Sequence, residues 1–271
     1  MNLNQYCEQI LLGGSLEDKL LSIGDINFTN ESPFLVPKLP GRSDNLKFST
    51  KQVRFPRGNF HEREKLALAL HSFANHELLA IEMMACALLL YPHNTDELKR
   101  FKLGVIKSLK DEQKHFKLYV DRLNELGYDF GDFPLNDFFW NQMEKLKTPS
   151  QYLAVMSLTF EAANLDFAHF YSHLFKELGD LKTAKILDIV LEDEISHVAL
   201  GANYLGKWRG QSSLWDYYNE SLPYPMSPAR SKGKLFVEHV RQQANLDQDF
   251  INKVKHYDDQ FSITKRKEWK K

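Results

Sequence analysis

DEQKH at residues 111–115 and DEISH at residues 193–197 are the stretches of sequence that decide the fold. Each places a histidine three residues after a glutamate, a spacing that puts both side chains on one face of an α-helix. The sequence contains no other Glu-x-x-His. Apolar residues continue at helical spacing on both sides of each stretch. The two motifs are therefore predicted to lie within long helices that turn an acid and an imidazole toward the interior.

Two further helices complete the pattern. Apolar residues at intervals of three and four, with few helix-breaking residues, predict helices at residues 64–91, 95–126, 150–178 and 181–208. Each of the four apolar stripes contains one glutamate, and these are Glu77, Glu112, Glu161 and Glu194. The spacing of these acids repeats along the chain, because 161 − 77 = 84 and 194 − 112 = 82. The second pair of helices is therefore predicted to repeat the first.

The connections between the predicted helices indicate the fold class. The second connection is long and the other two are short, which is the ferritin-like order of two antiparallel hairpins joined by a crossover. We therefore predict an all-α protein with a ferritin-like four-helix bundle at residues 64–209. Residues 210–271 are predicted to form a C-terminal extension, in which a proline-rich stretch leads to one or two helices and a basic tail, TKRKEWKK, at residues 264–271.

Residues 1–63 are predicted to form an N-terminal arm that packs on the core. One or two short helical pieces begin the arm, and Ser15 is the expected cap of the second. Pro33, Pro37 and Pro40 then break the helical periodicity. A linker is the alternative interpretation of this segment.

The composition limits which binding partners and which cellular compartment are expected for this protein. The chain has 35 Lys and Arg against 36 Asp and Glu, a net charge of −1, so no clear nucleic-acid or membrane signal arises from its overall charge. Cys7 and Cys86 form no metal-binding or disulfide pattern. The N-terminus lacks the features of a signal peptide, and the longest apolar run, residues 83–91, is too short to span a bilayer. We expect a cytoplasmic protein.

The buried acids indicate a metal site. An ionised carboxylate in an apolar interior costs several kcal/mol, and four together also repel one another. No Lys or Arg occupies the same stripes, whereas two divalent cations would balance four carboxylates and leave two imidazoles as neutral ligands. Carboxylate and imidazole ligands without thiolate favour iron, with manganese or a mixed pair as alternatives. The predicted metal ligands are Glu77, Glu112, His115, Glu161, Glu194 and His197.

An aspartate precedes each Glu-x-x-His motif. A metal-bound histidine usually donates its second N–H to a carboxylate, so we predict that Asp111 orients His197 and that Asp193 orients His115. Two solvated surface acids are the alternative. Glu82 and Asp166 each follow a predicted ligand by five residues, which turns them away from the ligand face. They are predicted to form interhelical salt bridges or to support the ligands.

Four segments make the chain resemble a bacterial ferritin-like family known as the domain of unknown function number four-five-five. They are FPRGNFHEREKLALALHSFANHELLAIEM, DEQKHFKLYVDRLNELGYDFGDFP, LTFEAANLDF and LEDEISHVALG. The resemblance covers about residues 30–210 and implies the fold and the metal site without a reaction. The doubled Asp-Glu-x-x-His is also similar to bacterial multicomponent monooxygenases and, more loosely, to tRNA-modifying hydroxylases. Storage ferritins lack the doubled motif and both terminal extensions, which argues against a storage cage.

Three functions are consistent with such a site. The first is an O2-activating oxidoreductase, a di-iron oxygenase or oxidase, with an organic small-molecule substrate in a pocket beside the metals. It would need an electron donor and is compatible with a homodimer. The second is metal handling, as a ferroxidase or a peroxide scavenger. The third is a non-enzymatic binding scaffold. Metal analysis followed by Fe(II) loading and exposure to O2 would separate them.

Tyr119 is the one residue for which the sequence suggests a redox role. It lies four residues after His115, the spacing at which the small subunit of ribonucleotide reductase carries its radical tyrosine. Seven steps from Glu112 make nearly two helical turns, so Tyr119 shares the face of the ligands. Ordinary core packing is the alternative. Gly201 occupies the equivalent position of the second repeat.

Overall fold

The structure is a computed structural model that describes residues 1–28, 34–50 and 54–259. Pro33 and the basic tail at residues 264–271 lie outside these ranges. Within them the protein is all-helical, as predicted, and strand-like pairing is limited to an isolated bridge between Phe48 and Leu135. The chain divides into two compact units, Met1–Glu144 and Lys145–Lys271.

The first unit is built on one long helical hairpin. Its helices are α1 (Leu3–Leu12), α2 (Leu16–Lys19), α3 (Arg63–Leu90) and α4 (Asp96–Glu125). The side chain of Thr95 accepts a hydrogen bond from the Leu98 N–H and so caps α4 at its first turn. Ser15 caps α2 in the same way, as predicted. In this unit α3 packs against α4, and α1 packs against α3.

Helix α3 is buried on most of its surface, not along a single stripe. Its length and composition would allow it to cross a membrane, but 78% of its most apolar window is buried inside the protein. The sequence predicted this helix at residues 64–91, but uninterrupted apolar runs alone do not identify it as long and apolar enough to span a membrane. Because α1 covers a second face of α3, the apolar residues of both faces have partners within the unit. Helix α3 is therefore a core helix.

The second unit repeats the hairpin and adds a helical extension. Its helices are α5 (Pro149–Val155), a π-helical segment (Met156–Glu161), α6 (Ala162–Glu177), α7 (Leu181–Trp208), α8 (Leu214–Ser221), α9 (Glu238–Gln243) and α10 (Gln248–His256). A positive φ of 79° at Gly179 ends α6. The Asp180 side chain then accepts from the Thr183 N–H to cap α7, so the hairpin turns within a few residues.

The ends of the four long helical stretches were predicted to within one residue, but the sequence missed two features. The third stretch contains the π-helical segment Met156–Glu161, which an apolar run such as MSLTFE does not reveal because every position in it is buried. Helix α8 was also missed. Its eight residues give only two turns of periodicity, and the Ser213 side chain caps it by accepting from the Asp216 N–H.

The π-helical segment lies close to α7 at a pair of small residues. A methyl group added at Gly201 would overlap the Ser157 side chain and lie 3.4 Å from Leu158 Cδ2. The equivalent pair in the first unit is large, with ring centroids of Phe73 and Tyr119 5.4 Å apart. The two hairpins therefore have a small pair and a large pair of side chains at corresponding positions. Thr159 holds the segment further, because its hydroxyl donates to the Ala154 carbonyl at 2.7 Å.

We expect Gly201→Ala to lower the free energy of unfolding by about 1–3 kcal/mol, because the added methyl group overpacks a buried contact. Chemical denaturation with urea would measure the change. Gly206→Ala in the same helix is the matched control, since nothing lies within 4 Å of the added carbon there. That control should be neutral or stabilising by up to about 1 kcal/mol. Equal effects of the two substitutions would contradict the close contact.

Candidate metal centre

Three of the predicted ligands meet in the first unit. Glu77 on α3 and Glu112 and His115 on α4 each place one ligand atom within 4.8 Å of the others. His115 Nδ1 lies 3.2 Å from Glu112 Oε2, as expected for residues one helical turn apart. We call these three residues the first triad.

The second unit contains a corresponding set. Glu161 at the end of the π-helical segment and Glu194 and His197 on α7 also place one ligand atom each within 4.8 Å of the others. His197 Nδ1 lies 3.4 Å from Glu194 Oε2 and 4.0 Å from Glu161 Oε1. We call these residues the second triad. The repeat seen in the sequence therefore brings the same three residue types together in each unit.

The chemistry of both triads fits a divalent transition metal. None of the six side chains is more than 4% exposed. Two buried carboxylates within 4.8 Å of each other repel strongly unless a cation or protons neutralise them. In each triad the histidine turns Nδ1 toward a carboxylate, so oxygen and nitrogen donors converge. Each triad could hold a metal ion. The assignment of all six residues to one dinuclear centre remains a prediction.

Sequence analysis missed one residue beside the second triad. Asn164 Nδ2 donates a hydrogen bond to Glu194 Oε1 at 2.8 Å. Asn164 lies three residues after Glu161, and a polar residue at that spacing on an apolar face was a usable signal.

The prediction that Glu82 and Asp166 form salt bridges is confirmed. Glu82 is buried and pairs with Lys19 at 3.2 Å and with Arg42 at 2.7 Å. Asp166 is equally buried and pairs with Arg241 through two bonds of 2.6 and 3.0 Å. In both units the cation comes from outside the long helices. The two acids are thus structural groups that attach the flanking segments to the hairpins.

The remaining predicted residues have less defined roles. Tyr119 is buried against Phe73, which fits core packing and leaves its redox role a hypothesis. Asp111 lies 3.5 Å from the Lys114 ammonium on the same helix. Its contact with His197, and that of Asp193 with His115, remain predictions.

His71 is a buried histidine that belongs to neither triad. Its Nε2 accepts a hydrogen bond from the Gly131 N–H at 3.0 Å, and its ring stacks on Phe130 with centroids 4.9 Å apart. Burial lowers the pKa of His71 to about 4, so it is neutral at physiological pH.

An open surface cleft of about 460 Å³ lies between α6 and α9 in the second unit. It is lined by His169, Leu235, Phe236, Val237, Glu238, His239 and Gln242. None of the six predicted ligands lines it. The predicted substrate pocket beside the metals therefore remains a prediction.

Comparisons with known proteins agree with the resemblance seen in the sequence. A Haemophilus influenzae protein described only as uncharacterized is 29% identical over 221 residues, which cover 76% of this chain and 75% of that protein. No solved structure matched the chain. The model of the family described as "Protein of unknown function (DUF455)" matches residues 14–252, a range that includes both triads. The chain therefore belongs to the DUF455 family.

Proposed function

We propose that this protein is a ferritin-like, dinuclear metal protein that activates O2 to oxidise an organic substrate. The observation that carries the proposal is the pair of buried Glu-Glu-His triads at corresponding positions of two helical hairpins. Six residues that agree in type, burial and repeat spacing are difficult to explain as independent structural groups. Two hairpins joined by a long connection are also consistent with the proposed ferritin-like bundle.

Charge and donor chemistry support the assignment of ligands. Glu112 and His115 would hold one ion, and Glu194 and His197 would hold the other, each through Nδ1 of the histidine. Glu77 and Glu161 would bind one ion each or bridge the two. Four carboxylates balance two divalent cations, so the neutral imidazoles complete the set without excess charge. When bound, two iron ions would supply the electrons that reduce O2.

The protein buries the six predicted ligands and orients their side chains. Water has little access to the six side chains, because each is at most 4% exposed. Such exclusion strengthens the electrostatic interactions in the site and protects a reactive oxidant from solvent. If Nδ1 of each histidine binds a metal ion, its Nε2–H would donate a hydrogen bond to an aspartate. His115 would donate to Asp193, and His197 would donate to Asp111.

Asp193→Asn should weaken metal binding by about 10- to 100-fold without abolishing it, because a residue that orients a ligand contributes less than the ligand itself. Anaerobic Fe(II) titration of the purified variant would measure the affinity. Glu192→Gln changes the neighbouring acid on the same helix and should leave the affinity unaltered. An affinity of Asp193→Asn equal to that of the wild type would rule out the proposed contact with His115.

The proposal is tested most directly with freshly purified protein. Metal analysis should find up to two ions per chain, and anaerobic Fe(II) loading followed by O2 should give a transient visible absorption band. Steady Fe(II) oxidation that consumes O2 without any organic substrate would instead favour metal handling. Unchanged thermal stability with and without metal, and no binding, would favour a scaffold.

A tyrosyl radical signal in the same samples that is lost in Tyr119→Phe would support the redox hypothesis, and its absence would leave Tyr119 a core residue.

A further inference from the structure

The side chain of Asn164 is hydrogen bonded to a proposed metal ligand. Asn164 Nδ2 donates to Glu194 Oε1 at 2.8 Å. Because an ionised carboxylate only accepts, the amide nitrogen and not the oxygen must face it. Glu194 Oε2 then faces His197 Nδ1 at 3.4 Å. We infer that Asn164 is a positioning residue that fixes Glu194 in the orientation required to bind metal, an inference that rests on the proposed function.

The backbone that carries Asn164 is firmly anchored. Arg241 Nη2 donates to the Ala162 carbonyl at 3.2 Å, at the first residue of α6. Arg241 also binds Asp166, two residues beyond Asn164. Asn164 is therefore bracketed by two contacts from one buried guanidinium. An amide on an anchored backbone orients its partner more strictly than an amide on a mobile segment would.

The position of the first unit that corresponds to Asn164 carries an alanine. The spacing that relates Glu77 to Glu161 also relates Ala80 to Asn164. Ala80 is buried on α3 and has no side-chain donor, so that position cannot supply a hydrogen bond to Glu112. An oriented carboxylate loses less conformational freedom when it binds an ion. Removal of the Asn164 donor is therefore expected to weaken metal binding by the second triad.

The test is an anaerobic Co(II) titration followed by visible absorption, which reports each bound ion. Asn164→Leu removes the donor but keeps a side chain of similar size, so it leaves little cavity. The wild type should bind two ions, and the variant should lose about 10- to 100-fold in the affinity of one of the two binding steps. Asn164→Ala serves as a second variant if the leucine side chain prevents folding, and the same loss is expected.

Gln142→Met is the matched control. Gln142 is a buried amide that donates to the Phe138 carbonyl and belongs to neither triad. The Gln142→Met variant should keep both Co(II) affinities within about twofold of the wild type, even if the substitution lowers the thermal stability of the metal-free protein. An Asn164 variant that also stays within twofold would overturn the positioning role and leave the proposed function standing. A wild-type protein that binds neither Co(II) nor Fe(II) would overturn the proposed function as well.

Discussion

Replacing Arg241 by methionine is expected to lower the free energy of unfolding by about 3–5 kcal/mol, as measured by chemical denaturation. Arg241 and Asp166 are both completely buried, and the guanidinium holds the two carboxylate oxygens through bonds of 2.6 and 3.0 Å. The N–H groups of Gly233 and Val237 also donate to this carboxylate, each at 2.7 Å. After the substitution these two bonds would remain, but the negative charge would have no cation. The cost of that buried charge dominates the expected loss.

Lys255→Met is the matched control for this prediction. Lys255 pairs with Glu238 at 3.1 Å in the same unit, but both side chains are well exposed to solvent. An exposed pair contributes at most about 1 kcal/mol, so the control should be nearly neutral. The double variant Arg241→Met with Asp166→Asn should recover part of the loss, because it removes the uncompensated charge. A loss below about 1 kcal/mol for Arg241→Met alone would show that the carboxylate is not buried as described.

Substituting either Glu112 or His197 by alanine is expected to reduce bound metal well below two ions per chain. Glu112 lies on α4 and His197 on α7, so the two variants test one predicted ligand from each hairpin. Each change removes one of three ligands from its triad, so the two remaining donors would hold an ion less tightly. Metal analysis after anaerobic Fe(II) loading and gel filtration would give the stoichiometry.

His71→Asn controls for the loss of a buried histidine near the same helices. His71 accepts a hydrogen bond from the Gly131 N–H and belongs to neither triad. This variant should retain the wild-type metal content, although it will be less stable because it loses a stacked ring. Wild-type stoichiometry in both Glu112→Ala and His197→Ala would show that the assignment of the ligands is wrong.

The long helices were predictable because one physical signal runs through each of them. Apolar residues at intervals of three and four continue for seven or more turns in α4 and α7, and local caps such as Thr95 mark where a helix begins. The triads were predictable for a related reason. An acid inside an apolar stripe is conspicuous, and the Glu-x-x-His spacing fixes two ligands on one helix without any tertiary information.

The remaining features depend on contacts that a linear pattern does not contain. The π-helical segment shifts the register of the helix just before Glu161, yet all its residues are buried, so the apolar pattern is unchanged. The bond from Asn164 to Glu194 joins two helices, and the sequence gives only its position on one of them. Likewise, the partners of Glu82 and Asp166 lie at distances along the chain that no local rule specifies.

The salt bridges of Glu82 and Asp166 limit how this chain can be shortened. Their cations are Lys19 and Arg42, before the first long helix, and Arg241, after the last one. A fragment restricted to residues 64–209 would retain both buried acids and lose all three counter-ions, so it should not be an autonomous folding unit. A shortened chain that lacks one of these ends would therefore also need a substitution that removes the carboxylate which that end had neutralised.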